Sequence, residues 1–412
     1  MLDAKKNKGT PQPYLGNSNV RWGEFDLTDL AKMRFESDEE ERYGLCPGDL
    51  VVCEGGEPGR CAIWNGPPGM KFQKALHRIR PKPPLDIHYL FNWFRHAART
   101  GQLDAHFTGT TIKHLTGKAV AELRVQLPPL SEQKAVVDVL KPLDDRITLL
   151  RETNTTLETI AQALFKSWFV DFDPVRARQQ GFAPEGMDEA TAALFPDGFK
   201  ESELGLMPKG WRLAPLSEAF EINPPRKLKK GEHAPYLDMA SVGTLGHVVS
   251  GTILREMGSG SKFVNGDTLL ARITPCLENG KTAFVDCLPE GQTGWGSTEF
   301  VVLRPKAPLP TYFGYLLCRH KSFRDFAIQS MSGTSGRQRI QNDVLGRFLV
   351  AIPNPEVAAA FGLIVGGVQQ RITANNAQAQ TLTTLRDTLL PRLISGQLRL
   401  PDAEAQLEEA TA

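Results

Sequence analysis

Arg146-Ile147-Thr148-Leu149-Leu150 and Arg371-Ile372-Thr373-Ala374-Asn375 repeat one pattern at two places in the chain, and the helices that carry them decide the fold. Around the first copy, Val136, Leu140, Leu143, Ile147, Leu150, Asn154, Leu157, Ala161, Leu164 and Trp168 step in alternating fours and threes. The same offset from each reaches Phe361, Val365, Val368, Ile372, Asn375, Ala379, Leu382, Arg386, Leu389 and Leu393. Steps of four and three make the a/d seam along which one helix lies on another. Two matching helices in one chain are therefore expected to pack together, as an antiparallel coiled coil with pseudo-two-fold symmetry. Asn154 and Asn375 are polar seam positions that set helix register at some cost in stability, with a water-exposed defect as the plain alternative.

What precedes each helix also repeats. Gly48-Asp49-Leu50-Val51-Val52-Cys53 reads as a turn into a buried strand, and Gly266-Asp267-Thr268-Leu269-Leu270 copies it. Ala62-Ile63-Trp64 reads as the returning strand, and Ile87 to Thr100 as an aromatic helix. Pro235-Tyr236-Leu237 copies Pro13-Tyr14-Leu15, and Gly333-Thr334-Ser335 copies Gly109-Thr110-Thr111. The expected class is α+β: two similar mixed α/β modules, each followed by a long helix. The divisions read as a first module at 1–130, a central helix at 131–172, a linker at 173–210, a second module at 211–353, a distal helix at 354–397 and a polar tail at 398–412. Within these, Pro142 should kink the central helix, Asp171-Phe172-Asp173-Pro174 should end it, and the linker should be extended with one short helix near 188–194. The first module is short at its start, without a counterpart of Trp211–Glu221.

Composition narrows the function. At 412 residues, 41% apolar and 23% charged, the chain suits two folded domains rather than one core. No apolar stretch approaches the roughly 20 residues of a membrane span, and the first residues lack a signal-peptide core, so a cytoplasmic protein with no membrane partner is expected. The six cysteines show no metal-ligand spacing and read as reduced thiols. The net charge of +1 hides a partition, because residues 205–351 hold 18 Lys/Arg against 12 Asp/Glu while residues 131–200 hold 8 against 12. A basic excess in the modules suits a phosphate backbone if it clusters on one face, and is otherwise an ordinary solvated surface.

Catalytic motifs fail one by one. Asn223-Pro224-Pro225-Arg226 starts like the motif with which adenine methyltransferases hold a flipped base, but that motif needs an aromatic residue where Arg226 stands. Gly280-Lys281-Thr282 lacks the upstream glycine of a phosphate loop, no nuclease carboxylate pattern appears, and the eight histidines are scattered. No catalytic residue and no metal site is assigned. Binding features are richer. Met331 to Arg339 is small, polar and cationic where the second module rejoins its helix, and Arg and Gln are the side chains that pair with guanine and adenine edges. The candidate DNA contacts in the second module are Arg226, Lys227, Lys229, Lys230, Arg272, Ser335, Arg337, Gln338 and Arg339. Those in the first are Arg60, Thr110, Thr111 and Lys113. An ordinary solvent loop is the alternative for the 331–339 stretch, a turn with a basic loop for 223–230, and a buried ion pair for Arg272.

Several longer stretches carry a family resemblance. Leu127-Pro128-Pro129-Leu130-Ser131-Glu132-Gln133, then Leu143-Asp144-Asp145-Arg146-Ile147, then Ala163 through Arg176 (ALFKSWFVDFDPVR) resemble the specificity (S) subunits of type I restriction–modification systems, the HsdS family. Leu204 through Trp211 (LGLMPKGW) resembles that family's lead into a second target-recognition domain, and Leu385 through Gly396 its distal helix end. The resemblance covers essentially the whole chain. It implies a non-catalytic, sequence-specific DNA-binding subunit of a deoxyribonuclease/adenine methyltransferase complex. Two target-recognition domains each read half of a bipartite double-stranded site, and the paired helices dock two methyltransferase subunits, joined by motor-nuclease restriction subunits. S-adenosylmethionine, ATP and Mg are then expected in the partners and no cofactor in this chain. A helix of about 37 residues spans roughly 55 Å, on the order of 16 base-pair steps, which suits separated half-sites. Two other readings remain open: the recognition portion of a fused restriction–methylation enzyme, and a coiled-coil scaffold without a nucleic-acid role.

Overall fold

The computed structural model describes residues 8–73, 75–203, 205–334 and 336–398. Met1–Asn7, Ser335, Leu204 and the 399–412 part of the expected tail lie outside the described residues. The chain divides into two compact units, Met1–Ile147 with Gln380–Ala412, and Thr148–Ala379. Each unit therefore holds one module and a segment of each long helix. The central helix is Leu130–Lys166, unbroken at Pro142, and the distal helix is Pro355–Ile394.

In the first unit the Gly-Asp turn delivers Leu50–Cys53, buried along its whole length, into a three-stranded antiparallel sheet. Cys61–Ile63 pairs on one side and Leu76–Ile79 on the other. A second sheet holds Thr10–Leu15 between Lys32–Phe35, antiparallel, and Lys71–Phe72, parallel. Ile87–Arg99 is a helix because Asp86 caps it, accepting from the His88 and Tyr89 amides, and because Tyr89, Leu90, Trp93 and Phe94 share its buried side.

The second unit repeats the core of this plan with an extra strand in each sheet. Thr268–Ala271 pairs with Thr282–Phe284 and with Phe300–Pro305, so Thr268 faces Phe284 and Leu303 just as Leu50 faces Ile63 and Ile79. In the other sheet Tyr236 and Leu237 run parallel to Trp295 and Gly296, as Tyr14 and Leu15 do to Lys71 and Phe72. The second module adds an edge strand, Phe220–Ile222, and a pair made by Arg212–Pro215 with Leu349–Ile352. Residues 124–127, which correspond to Leu349–Ile352, form no strand.

Burial along the two helices varies over the expected seam positions. In the first unit Leu140, Leu143 and Ile147 of the central helix and Leu382 and Leu389 of the distal helix are buried, and Arg386 of the latter pairs with Asp144 at 2.8 Å. In the second unit Leu150, Val365 and Ile372 are buried, while Leu157 and Val368 are half-buried. There Asn375 donates to the Asn154 carboxamide at 2.9 Å, and Phe361 meets Phe165, so position rises along one helix segment as it falls along the other. Near this end the seam departs from the expected spacing: Phe165 takes the deep position and Leu164 is half-buried. Phe165, Trp168, Phe169, Phe313 and Phe361 form one aromatic cluster, and such rings contribute about 1.5–3 kcal/mol each by burial. The helix unwinds into a π-turn at Ser167–Asp171 and ends at Phe172, whose φ of 56° is left-handed.

The 173–210 stretch is not an extended linker. It folds as helices Asp173–Gln179 and Glu189–Ala193 and a hairpin of Phe199–Ser202 with Gly205–Pro208. Phe195 packs edge-on against Trp168 at 4.8 Å, and Met207 joins the same core, so apolar side chains pull the segment onto the module. The distal helix is long and apolar enough by length and composition to cross a membrane. In the second unit Val357, Phe361 and Val365 on it are committed to the protein core.

Candidate nucleic-acid interface

The Gly-Asp repeat has a physical reason. Asp267 has no exposed surface, and its carboxylate accepts from the Val264 amide at 2.8 Å and from Arg304 Nε at 2.6 Å. Asp49, equally hidden, accepts from the Cys46 amide at 2.8 Å and from Arg80 Nε at 2.5 Å. Each module thus closes the same turn with a buried carboxylate held by an arginine, Arg304 within the third strand and Arg80 just beyond it, and in the first module the Asp49 hydrogen bond holds the Arg80 guanidinium above its ordinary pKa. In the second module Arg226 adds a fork to Asp267, at 2.7 and 3.2 Å. Asn223, with φ 52°, exchanges hydrogen bonds with the Val302 backbone at 2.7 and 2.8 Å. The Asn-Pro-Pro-Arg segment is therefore occupied in holding the end of a strand, and Arg226 is engaged inside the module. Lys227, Lys229 and Lys230 beside it are exposed.

The Gly-Thr repeat marks one loop present in both modules. Ser332 and Arg339 exchange backbone hydrogen bonds at 3.0 and 2.9 Å across the 333–338 loop. Thr108 and His114 do the same at 2.8 and 2.9 Å across 109–113. The residue after each return, Ile340 or Leu115, donates to Arg272 or Glu54, the residue that follows the central buried strand. Gly109 has φ +92°, and a Cβ there would sit 2.2 Å from the Ile112 carbonyl; Gly333 has φ +128°. Only glycine suits that start of the loop.

The structure sorts the expected contacts into scaffold and tip. Arg339 grips the Glu299 carboxylate with three hydrogen bonds of 2.7 to 3.0 Å. The Arg339 hydrogen bonds outweigh desolvation and hold that carboxyl below its ordinary pKa. Arg272 lies one residue beyond its strand and donates to the Ile340 carbonyl at 2.8 Å and to Gln341 at 3.2 Å, in place of the ion pair weighed for it. Arg60 is tied to Glu57 at 3.0 Å and to the Asn17 carbonyl at 2.9 Å. The tip groups are Thr334, Arg337 and the half-buried Gln338 in one module, and Thr110, Thr111 and Lys113 in the other. Arg337 forms no ion pair among the described residues. Lys113 places its ammonium 5.5 Å from the Phe107 ring.

Two features escaped the sequence reading. Glu299 carries no motif and gains meaning only from Arg339, 40 positions away. His247, fully buried, bridges the Tyr312 hydroxyl and the Asp286 carboxylate at 3.0 Å each, and Asp286 also accepts from Gln369 at 2.9 Å and Thr373 at 2.5 Å on the distal helix. Glu158 of the central helix accepts from Tyr315 and lies 3.8 Å from His247. In the second unit this network ties the module to both helix segments. Burial alone would raise the Asp286 carboxyl, but the His247, Thr373 and Gln369 hydrogen bonds prevail and hold it below its ordinary value.

Residues 36–159 match the family model of the type I restriction modification DNA specificity domain. The HindI specificity subunit of Haemophilus influenzae is 25% identical over 336 residues, covering 70% of this chain and 72% of that protein. The MjaIX specificity subunit of Methanocaldococcus jannaschii is 24% identical over 372 residues, covering 86% and 78%. In fold, the crystal structure of a type I restriction–modification S subunit from M. genitalium superposes with a TM-score of 0.51 at 16% identity, over 95% of this chain and 91% of that one. By the matched domain and these relatives this chain is similar to the specificity subunits of type I restriction enzymes, and it shares the fold of the M. genitalium S subunit.

Proposed function

We propose that this chain is the non-catalytic, DNA-reading subunit of a type I restriction–modification complex, with each module reading one half of a bipartite duplex site. In this reading residues 1–130 and 211–353 are target-recognition domains. The 131–172 and 354–397 helices pack as an antiparallel, pseudo-two-fold spacer on which methyltransferase subunits, two by symmetry, and then motor-nuclease subunits assemble. Methylation and cleavage, with S-adenosylmethionine, ATP and Mg, belong to those partners. One observation carries the proposal. The same loop, started by the same glycine and closed by the same backbone pair, recurs in both modules and presents different polar and cationic tips, Thr110/Thr111/Lys113 in one and Arg337/Gln338 in the other.

The direct test is binding of duplex DNA by the chain reconstituted with its methyltransferase, measured across a salt series. Affinity should fall steeply as salt rises, because cations that neutralise phosphates release counterions. Arg337→Ala or Gln338→Ala should cost about 1–3 kcal/mol of discrimination in one half-site. Variants that discriminate as the parent does would remove the tip assignment.

A further inference from the structure

We infer that Glu299 is a positioning residue for base reading in the second module, locking Arg339 into the foot of the 333–338 loop so that Arg337 alone is offered as a cation. The inference rests on the DNA-reading role proposed above and assigns a residue to it.

Glu299 holds the loop foot from two sides. Its side chain takes three hydrogen bonds from Arg339. Its carbonyl accepts from the Arg272 amide at 2.9 Å, and Arg272 in turn receives the Ile340 amide and donates its guanidinium back to the Ile340 carbonyl. Thr274 and Gln338 add two more links, amide to carbonyl at 3.0 Å and amide to Thr274 hydroxyl at 3.1 Å. A six-residue loop containing two glycines would otherwise sample many conformations, and ordering it at the moment of binding would cost affinity for the cognate site. The clamp removes that cost beforehand. It also withdraws one cation from the nucleic acid and sets a carboxylate beside it, which opposes indiscriminate attraction to phosphate.

The first module lacks the device. The Glu54 amide meets the Ala75 carbonyl at 3.0 Å, as the Arg272 amide meets that of Glu299, so alanine stands where the second module has its carboxylate. Loss of Glu299 should therefore blur one block of the recognised site and leave the other intact. A general destabilisation would not distinguish the two blocks.

The experiment uses the full chain with its methyltransferase, duplexes enriched by the parent from a random pool, and a scrambled duplex. Glu299→Gln should lower the ratio of enriched to scrambled affinity about tenfold, while binding of the scrambled duplex tightens and its salt dependence steepens by about one ion. Arg339→Met, which removes the partner instead, should lose the ratio without that tightening. Glu299→Asp, which keeps the charge, should retain much of it. Re-selection with Glu299→Gln should return one degenerate block. Unchanged ratios in both Glu299→Gln and Arg339→Met would overturn the inference, as would equal weakening on enriched and scrambled duplexes. A parent that enriches no sequence would overturn the DNA-reading role itself, a separate result.

Discussion

A carboxylate with no exposed surface has lost its water, and Asp267 has two guanidiniums and an amide as partners in its place. Asp267→Asn leaves Arg226 and Arg304 facing a neutral group inside the module, and should cost about 3 kcal/mol in urea unfolding of the second unit. Asp49→Asn should cost less, about 1 kcal/mol, because the Arg80 side chain is 49% exposed and water compensates it. Equal losses would contradict the latch account. The Gly-Asp repeat was legible in the sequence as a turn. Its function was not, since the arginines lie 31 and 37 positions downstream and no local pattern ties them to it. For the same reason Arg226 and Arg339 read as free cations among basic neighbours, although each has a carboxylate partner about 40 positions away. Arg337 and Lys113 are exposed, and among the described residues neither forms an ion pair.

Among the elements, the two long helices were the most legible part, since a heptad is a local signal repeated many times and each repeat corrects the others. The reading slipped where that signal weakens. At Leu164 and Phe165 both residues are apolar, and the bulkier ring won the deep position because Phe313 and Phe361 stand opposite it. The 173–210 stretch has no periodicity long enough to detect, and it is organised by distant contacts such as Phe195 on Trp168. Truncating the seam at a fully buried position, Leu389→Ala, should cost about 2–5 kcal/mol in thermal or urea unfolding. The junction of module and helix in the second unit should respond to acid. Because Asp286 is held below its ordinary value of 3.8, its ionised form is favoured by folding. That contribution is complete above the ordinary value and is lost as pH falls through the depressed one. Asp286→Asn should therefore flatten the acid limb of the stability profile below about pH 4 and leave the neutral limb parallel to the parent. An unaltered acid limb would remove Asp286 from the junction.

For the molecule as a whole, duplication is what makes the fold and the function legible together. Two modules share one strand order, one latch and one loop with different tips, each continuing into a matching helix, and in the proposed function they are the two reading heads. What no single sequence offers is the recognised bases, because the tips share a backbone frame and not their side chains. Mapping methylated adenines in cells carrying this chain with its methyltransferase, parent beside Arg337→Ala, tests this most directly. The account predicts two short conserved blocks separated by an unspecified gap of constant length, with only one block altered by the substitution. A single contiguous motif, or both blocks changing together, would contradict it.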